Sequence, residues 1–216
     1  NFPKGRLYFD KAKILINDLQ DTVELRYYYS ELGNFYFKQE QIDSAILCIK
    51  ESINLSKILG EHDLIIGGNV NIGLLYKKKG NYDLALLYMN GALAEYKKNK
   101  NNPTELGVVY NNLGSIYAAQ KKYKEAEIAF FKSLEYVNSI DAKFVVLENY
   151  QNLMDLYEQM KDYKSQSIYL KKYYQLKDSI YAIDKLNELN QLESEYQLEK
   201  KNSEILKKDK AFIKSN

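Results

Sequence analysis

The eighteen residues from 113 to 130, LGSIYAAQKKYKEAEIAF, contain the pattern that decides the fold of this chain. An apolar residue and a glycine are followed three positions later by tyrosine, and an alanine stands twelve positions after the glycine. The same arrangement occurs three times, around Gly33, Gly73 and Gly114, which are 40 and 41 residues apart. A constant phase of this kind indicates a repeated structural unit.

Each unit contributes the same kinds of residue at the same spacing. The alanine is followed four positions later by a large apolar residue and three positions after that by a small one. A fourth unit places Met154 and Gln166 at two of the small positions, so we expect its two helices to be splayed. The members in chain order are Leu32, Gly33, Tyr36, Ala45, Ile49 and Ser52, then Ile72, Gly73, Tyr76, Ala85, Met89 and Ala92, then Leu113, Gly114, Tyr117, Ala126, Phe130 and Ser133, and finally Leu153 and Tyr157.

The apolar residues inside each unit follow the period of an α-helix. Tyr29, Leu32 and Tyr36 fall at i, i+3 and i+7, and a short polar break separates this helix from a second one. We therefore predict two antiparallel helices per unit, joined by a tight turn, and an all-α fold without strands. Asn102 and Pro103 suit the cap and the first position of such a helix. A glycine inside a helix costs about 1 kcal/mol relative to alanine, and close approach of the two helices is its expected reason.

The pattern divides the chain into a repeat domain, residues 1–181, and a C-terminal connector helix, residues 182–216. Gly5, Phe9 and Ala12 match the second helix of a unit, so the chain starts within a repeat and we expect it to be a piece of a longer protein. The predicted units are a half repeat at 3–19 and repeats at about 24–60, 64–99, 103–138 and 142–178, with breaks at Gly60–Asp63, Asn99–Pro103 and Asn138–Asp141.

The connector helix has two interpretations. Leu189, Leu192, Tyr196 and Leu206 fit a heptad seam, which polar residues interrupt. The segment is either a solvated single helix or a helix that self-associates with a second copy as a coiled coil.

Composition excludes several classes of function. Lys and Arg number 31 against 29 Asp and Glu, and only two are Arg, so we expect no nucleic-acid contact. One His and one Cys leave no zinc site or His-based triad, and we predict no metal, cofactor or catalytic residue. His62 and Cys48 are assigned structural or neutral roles. The Gly67-Gly68 pair has no preceding strand and no following Gly-Lys-Ser/Thr, so it is not a phosphate loop.

The repeat resembles the tetratricopeptide repeat, in which L-G-x2-Y is followed by A-x3-F. The resemblance covers roughly residues 5 to 175, with units of 40 or 41 residues against 34. We expect the additional residues in the second helix and the turn after it. The resemblance implies a right-handed solenoid of antiparallel helix pairs, whose concave side is lined by the first helix of each unit and binds a protein or peptide.

The concave side supplies the candidate binding residues. Asparagine amides both donate and accept hydrogen bonds, so a row of them can hold an extended peptide backbone of any sequence. The alternative is that these asparagines only tie neighbouring helices together. Asn34 and Asn71 match family members that grip a terminal carboxylate, but Ser30, Val108 and Asn112 stand where those members need basic residues, so we do not expect chaperone-tail binding. The candidates are Tyr27, Ser30, Asn34, Phe37, Asn71, Leu74, Lys77, Asn111, Asn112, Ser115, Asn152 and Asp155.

A second resemblance, to bacterial membrane-bound sensor regulators, rests on Tyr173-Tyr174-x-Leu176-Lys177-Asp178-Ser179-Ile180 and Leu192-Glu193-x-x-Tyr196-x-x-Glu199-Lys200-Lys201. In that family, repeats on the outer side of the inner membrane precede a transmembrane helix and a cytoplasmic histidine kinase or helix-turn-helix domain. The resemblance implies a periplasmic sensor region of a signalling or transcription regulator, with the membrane segment beyond residue 216.

Two other functions remain open from the sequence. A soluble cytoplasmic adaptor or scaffold would use the same groove. A repeat protein resembling the response-regulator phosphatases would need a catalytic side chain, and the sequence singles none out.

Overall fold

The computed structural model describes residues 2–19, 21–99, 102–137 and 142–215, and these residues contain helices and no strand. The helices are α1 (Phe2–Leu19), α2 (Thr22–Lys38), α3 (Ile42–Leu59), α4 (His62–Lys78), α5 (Tyr82–Asn99), α6 (Pro103–Ala119), α7 (Tyr123–Tyr136), α8 (Lys143–Gln159) and α9 (Tyr163–Ser215).

The helices pack in consecutive pairs. The most extensive contacts join α2 to α3, α4 to α5, α6 to α7 and α8 to α9, and each pair also contacts the next. α1 packs on α2, where its Phe9 ring lies against Tyr28 and Phe35 at centroid distances of 5.9 and 5.2 Å. The predicted all-α solenoid of helix pairs is confirmed.

The repeated glycines lie where the two helices of a pair touch. A Cβ atom at Gly73 would stand 2.7 Å from Cε of Met89, and one at Gly114 would stand 2.6 Å from two ring carbons of Phe130. At Gly33 the nearest atom, Cγ1 of Ile49, would be 3.1 Å away. Close packing therefore offsets the cost of a glycine within a helix at these positions. The facing alanines, Ala45, Ala85 and Ala126, are fully buried.

The turn inside each pair uses one residue in the left-handed conformation. This position recurs every 40 or 41 residues, and only the second unit fills it with glycine, whose missing Cβ removes the strain. The residues and their φ angles are Glu40 (59°), Gly80 (74°), Lys121 (60°) and Lys161 (58°).

The structure describes two of the predicted breaks between units, at least in part. α3 ends at Leu59, and Gly60 follows with φ of 71°. At the start of α6, Oδ1 of Asn102 accepts a hydrogen bond from the Thr104 amide at 3.0 Å, and Pro103 is the first helical residue. The predicted break at Asn138–Asp141 lies outside the described residues.

The fourth pair differs from the others because α9 is 53 residues long. α8 contacts α9 less extensively than the corresponding helices contact each other in the other three pairs. The Tyr169 ring of α9 stacks on the Tyr157 ring of α8 with 5.7 Å between their centroids. Each of these tyrosines is three residues away from one of the two altered small positions, Met154 and Gln166. The predicted boundary between residues 181 and 182 falls inside α9, which continues through it without a break.

Candidate binding groove

The first helices of the pairs, α2, α4, α6 and α8, carry the residues predicted to line the groove. Most of these side chains are exposed or half-buried, but Asn111 is 1% and Asn112 is 8% exposed. Exposed residues are Tyr27, Asn34, Phe37, Asn71 and Asp155, and half-buried ones are Ser30, Leu74, Lys77, Ser115 and Asn152.

Three of the predicted asparagines, Asn111, Asn112 and Asn152, make hydrogen bonds of 3.0–3.1 Å within the protein. Nδ2 of Asn152 donates to Oδ1 of Asn111 at 3.1 Å and so joins α8 to α6. Nδ2 of Asn112 donates to the Val108 carbonyl of its own helix at 3.0 Å. The fold therefore does not present a continuous row of asparagine side chains that are free to bind a peptide. Asn111 and Asn152 instead join two neighbouring first helices, α6 and α8, which contact each other there.

The junction between α4 and α6 is also closed. The Lys77 ammonium donates a hydrogen bond to the Ser115 hydroxyl across the two helices. Burial lowers the pKa of Lys77, and the nearby charge of Glu148 opposes that shift. Both side chains, predicted as ligand contacts, are thus engaged in holding α4 to α6.

The junction between α2 and α4 is open. α4 contacts α6, and α6 contacts α8, whereas α2 and α4 make no comparable contact among the described residues. Two adjoining cavities of about 270 and 150 Å³ lie between these two helices, and both are lined by Asn34, Ile49 and Asn71. We call this space, walled by α2 and α4 and floored by α3, the α2–α4 cleft. The sequence gives no signal that separates this junction from the others.

Ion pairs lie at both ends of the α2–α4 cleft. At one end, Nε of the buried Arg26 stands 2.8 Å from Oε2 of Glu61, and the Arg26 guanidinium lies 3.9 Å from the Tyr27 ring centroid. At the other, Nζ of Lys78 stands 3.7 Å from Oε1 of the exposed Glu40. The predicted residue Tyr27 therefore packs on Arg26 and does not line the described cavities.

The middle of the cleft offers unused amide groups. Asn34 donates one long hydrogen bond of 3.4 Å to Glu31, which leaves its carbonyl oxygen without a partner in the described chain. The side-chain amide of Asn71 has no hydrogen-bond partner among the described residues. Phe37 and Leu74 add an apolar wall. The cleft can therefore take a ligand that needs hydrogen bonds to amides beside an apolar contact.

His62 has a partner that the sequence does not indicate. Its Nδ1 lies 2.6 Å from Oε1 of the buried Glu95, and Nζ of Lys98 lies 2.7 Å from the other carboxylate oxygen. The hydrogen bond from Lys98, and next the one from His62, lower the pKa of Glu95. The cluster joins the start of α4 to the end of α5 and lies outside the cleft. Cys48 is buried, and burial raises the pKa of its thiol.

Two searches of the described residues gave negative results. No group of three or more His, Cys, Asp or Glu side chains there is placed to hold a metal ion. No helix in that part of the chain has the length and apolar character of a membrane span.

Stacked antiparallel helix pairs with a concave groove define the class of α-solenoid repeat proteins. Two family models of the tetratricopeptide repeat match this chain, over residues 27–58 and 64–139, and together they cover half of it. The chain therefore contains tetratricopeptide repeats over these two ranges. Repeats of this family generally form non-enzymatic scaffolds that bind other proteins.

Solved structures share the fold at low sequence identity. BtubC (BKLC) from P. vanneervenii is 18% identical with a TM-score of 0.69, covering 83% of this chain and 74% of its own. The apo form of RapI is 16% identical with a TM-score of 0.70, over 79% of this chain and 47% of RapI. A putative kinesin light chain of Podospora anserina is 12% identical with a TM-score of 0.63, over 84% and 89%. No curated protein matches the sequence.

Proposed function

We propose that this chain is a non-catalytic module that binds an extended peptide or protein segment on its concave side. The observation that carries the proposal is the α2–α4 cleft, where Asn34 and Asn71 keep free hydrogen-bonding groups. Amides of this kind bind a peptide backbone independently of its side chains. The junctions on either side of α6, by contrast, use their polar groups to hold helices together.

A pool of random synthetic hexapeptides tests this function. The protein is mixed with the pool, bound peptides are identified by native mass spectrometry, and their affinities are measured by calorimetry. Replacing Asn34 and Asn71 together by Ala is expected to lower the affinity for these peptides, while the helicity of the protein stays unchanged. The matched control is Asn90→Ala, which replaces an exposed asparagine on α5 and is expected to bind the peptides as the parent chain does. Equal affinities in all three proteins would place the binding face elsewhere.

The second part of the proposal concerns the larger protein. We propose that the module is the extracytoplasmic sensor region of a membrane-anchored regulator and that α9 transmits the bound state. The resemblance of residues 173–201 to such regulators supports this, as does the length of α9, whose leucines remain exposed past the fourth repeat. The proposal predicts that the natural gene continues past codon 216 into about 20 apolar residues and then a kinase or DNA-binding domain. A stop codon there would favour a cytoplasmic adaptor that uses the same cleft.

Self-association through α9 belongs to the same proposal. Leu189, Leu192 and Tyr196 are exposed and have the 3–4 spacing of a coiled-coil seam. A long helix with an exposed apolar stripe gains stability by burying that stripe against a second copy. The side chains at the three remaining heptad positions, Glu199, Ser203 and Leu206, lie outside the described residues.

A further inference from the structure

The second helix of each pair exposes a large aliphatic side chain at the same phase of every unit. This residue stands two positions after the buried alanine, or after Gln166 in the fourth unit. Single exposed apolar residues are normal on a protein surface, whereas one in every unit forms a patterned apolar surface. We call the four residues the outer row; they and their exposed fractions are Leu47 (64%), Leu87 (61%), Ile128 (56%) and Ile168 (47%).

The outer row lies on the convex side of the solenoid. The first helices α4, α6 and α8 contact one another in succession, whereas α3, α5, α7 and α9 make no comparable contact with one another among the described residues. The second helices therefore spread apart and form the outer side of the curve. Leu7 of α1 stands at the same phase and is 52% exposed, so the half repeat carries the pattern as well.

The charges around the outer row change sign along the solenoid. On the face of each helix, the row residue is bordered by the positions three and four residues before it and three, four and seven residues after it. In α3 and α5 these positions hold three acids and one lysine, which are Asp43, Glu51, Asp83 and Lys50. In α7 and α9 they hold five lysines and two acids, which are Lys124, Lys132, Lys164, Lys171, Lys172, Glu125 and Glu135. The convex side therefore has an acidic half and a basic half.

The position four residues before the row residue shows this change most clearly. It holds Asp43 and Asp83 in the first two units and Lys124 and Lys164 in the last two, and all four side chains are exposed. Asp43 is paired with Lys79 at 2.5 Å. Asp83 and Lys124, in the middle of the row, form no ion pair among the described residues, so both charges are available to a partner.

We propose that the convex side binds a second copy of this chain in antiparallel orientation, about a two-fold axis between α5 and α7. In such a dimer every contact occurs twice. Leu87 of one copy meets Ile128 of the other, and Asp83 meets Lys124, because reversing the second copy places its basic half over the acidic half of the first. A parallel arrangement would oppose like charges. A second copy also presents its apolar residues at the same intervals, 40 or 41 residues apart in sequence.

The convex shape limits this contact to the middle of the outer row. Leu47 and Ile168 lie toward its edges, and Leu7 has no counterpart in the other copy. Interfaces of small area are weak, so the dimer is expected to form at high protein concentration. The surface is separate from the α2–α4 cleft and from the α9 seam, so this inference goes beyond the proposed function.

Sedimentation velocity over a range of protein concentrations tests the dimer, with Leu192→Asp present in every chain so that the α9 seam contributes nothing. Adding Leu87→Asp is expected to raise the dissociation constant about thirtyfold, because a carboxylate is placed in each half of the apolar contact. The matched control is Leu198→Asp, at a leucine of nearly equal exposure (62%) outside the outer row, and it is expected to leave the constant unchanged. Both leucines are exposed, so the helicity of both variants is expected to stay unchanged by circular dichroism.

Charge reversal tests the orientation of the two copies. Asp83→Lys alone and Lys124→Asp alone each oppose like charges across the two-fold axis and are expected to weaken the dimer about tenfold. A chain that carries both substitutions is expected to dimerise as well as the Leu192→Asp chain, because opposite charges face each other again.

Each outcome decides a part of the inference. A dimer that Leu87→Asp weakens, that Leu198→Asp leaves unchanged and that the double reversal restores supports it. A chain that stays monomeric at every concentration, or a dimer that Leu87→Asp does not weaken, overturns the inference and leaves the outer row to a different protein. A double reversal that fails to restore the dimer overturns the antiparallel orientation.

Discussion

Gly114→Ala tests whether the helix pairs are held by backbone contact. The added Cβ would lie 2.6 Å from two ring carbons of Phe130, which is 1% exposed. Overpacking of this kind costs about 1–3 kcal/mol, while the better helix propensity of alanine returns up to about 1 kcal/mol. We expect the free energy of unfolding to fall by about 1–2 kcal/mol. In a domain of this size that lowers the Tm by about 2–8 °C.

The measurement is thermal unfolding followed by circular dichroism, with two glycines as references. Gly73→Ala is expected to cost less, because the nearest atom it would meet is the flexible end of Met89 and its one backbone contact, the Ala85 carbonyl oxygen, is at 3.2 Å. Gly67→Ala, whose Cβ would meet nothing within 4 Å, is expected to raise the Tm. A Tm for Gly114→Ala equal to or above that of the parent chain would refute the contact reasoning.

Three further outcomes follow from other parts of the molecule. Lys121→Gly removes the backbone strain of a left-handed residue at φ of 60° and is expected to raise the free energy of unfolding, measured in urea, by about 0.5–1 kcal/mol. An unchanged urea midpoint would show that the turn is unstrained. The pKa of Glu95 is lowered from its ordinary value of 4.5, so the ionised carboxylate stabilises the fold at any pH above 4.5. This stabilisation is lost as the pH falls through the lowered pKa. Glu95→Gln should therefore make Tm less dependent on pH in acid, and an equal slope in both proteins would contradict the role of the Lys98 and His62 contacts. If α9 self-associates, Leu192→Asp is expected to lower the sedimentation coefficient in dilute solution to that of a monomer. The control Leu198→Asp, at a similarly exposed leucine outside the seam, is expected to leave it unchanged. Equal effects of the two substitutions would exclude a seam.

The sequence predicts the helix pairs well because their contacts are local. Gly114 and Phe130 are sixteen residues apart, and the same spacing separates Gly33 from Ile49 and Gly73 from Met89. The glycine and the large apolar residue that it faces therefore recur in three repeats and can be recognised by their phase. Left-handed turns such as the one at Lys121 escape this reasoning, because lysine carries no signal for that conformation.

The location of the cleft depends on how successive pairs stack, which the repeat pattern does not encode. Asn71, Asn112 and Asn152 occupy the same phase of three units. Asn71 is exposed and its side chain has no partner among the described residues, Asn112 bonds to its own helix, and Asn152 bonds to the preceding first helix, α6. The difference arises because α4 contacts α6 and α6 contacts α8, while α2 makes no comparable contact with α4 among the described residues. Sequence phase therefore identifies the asparagines as polar positions of one helix face, and only the packing shows which of them remain free to bind.

The most direct measurement is NMR mapping of the amide signals of the nitrogen-15-labelled protein during titration with the tightest-binding hexapeptide from the random pool. The account predicts that the largest shift changes fall on the amides of Asn34 and Asn71, with little change in α6 and α8. Shift changes centred on Asn111, Ser115 and Asp155 instead would contradict a binding site between the first two repeats.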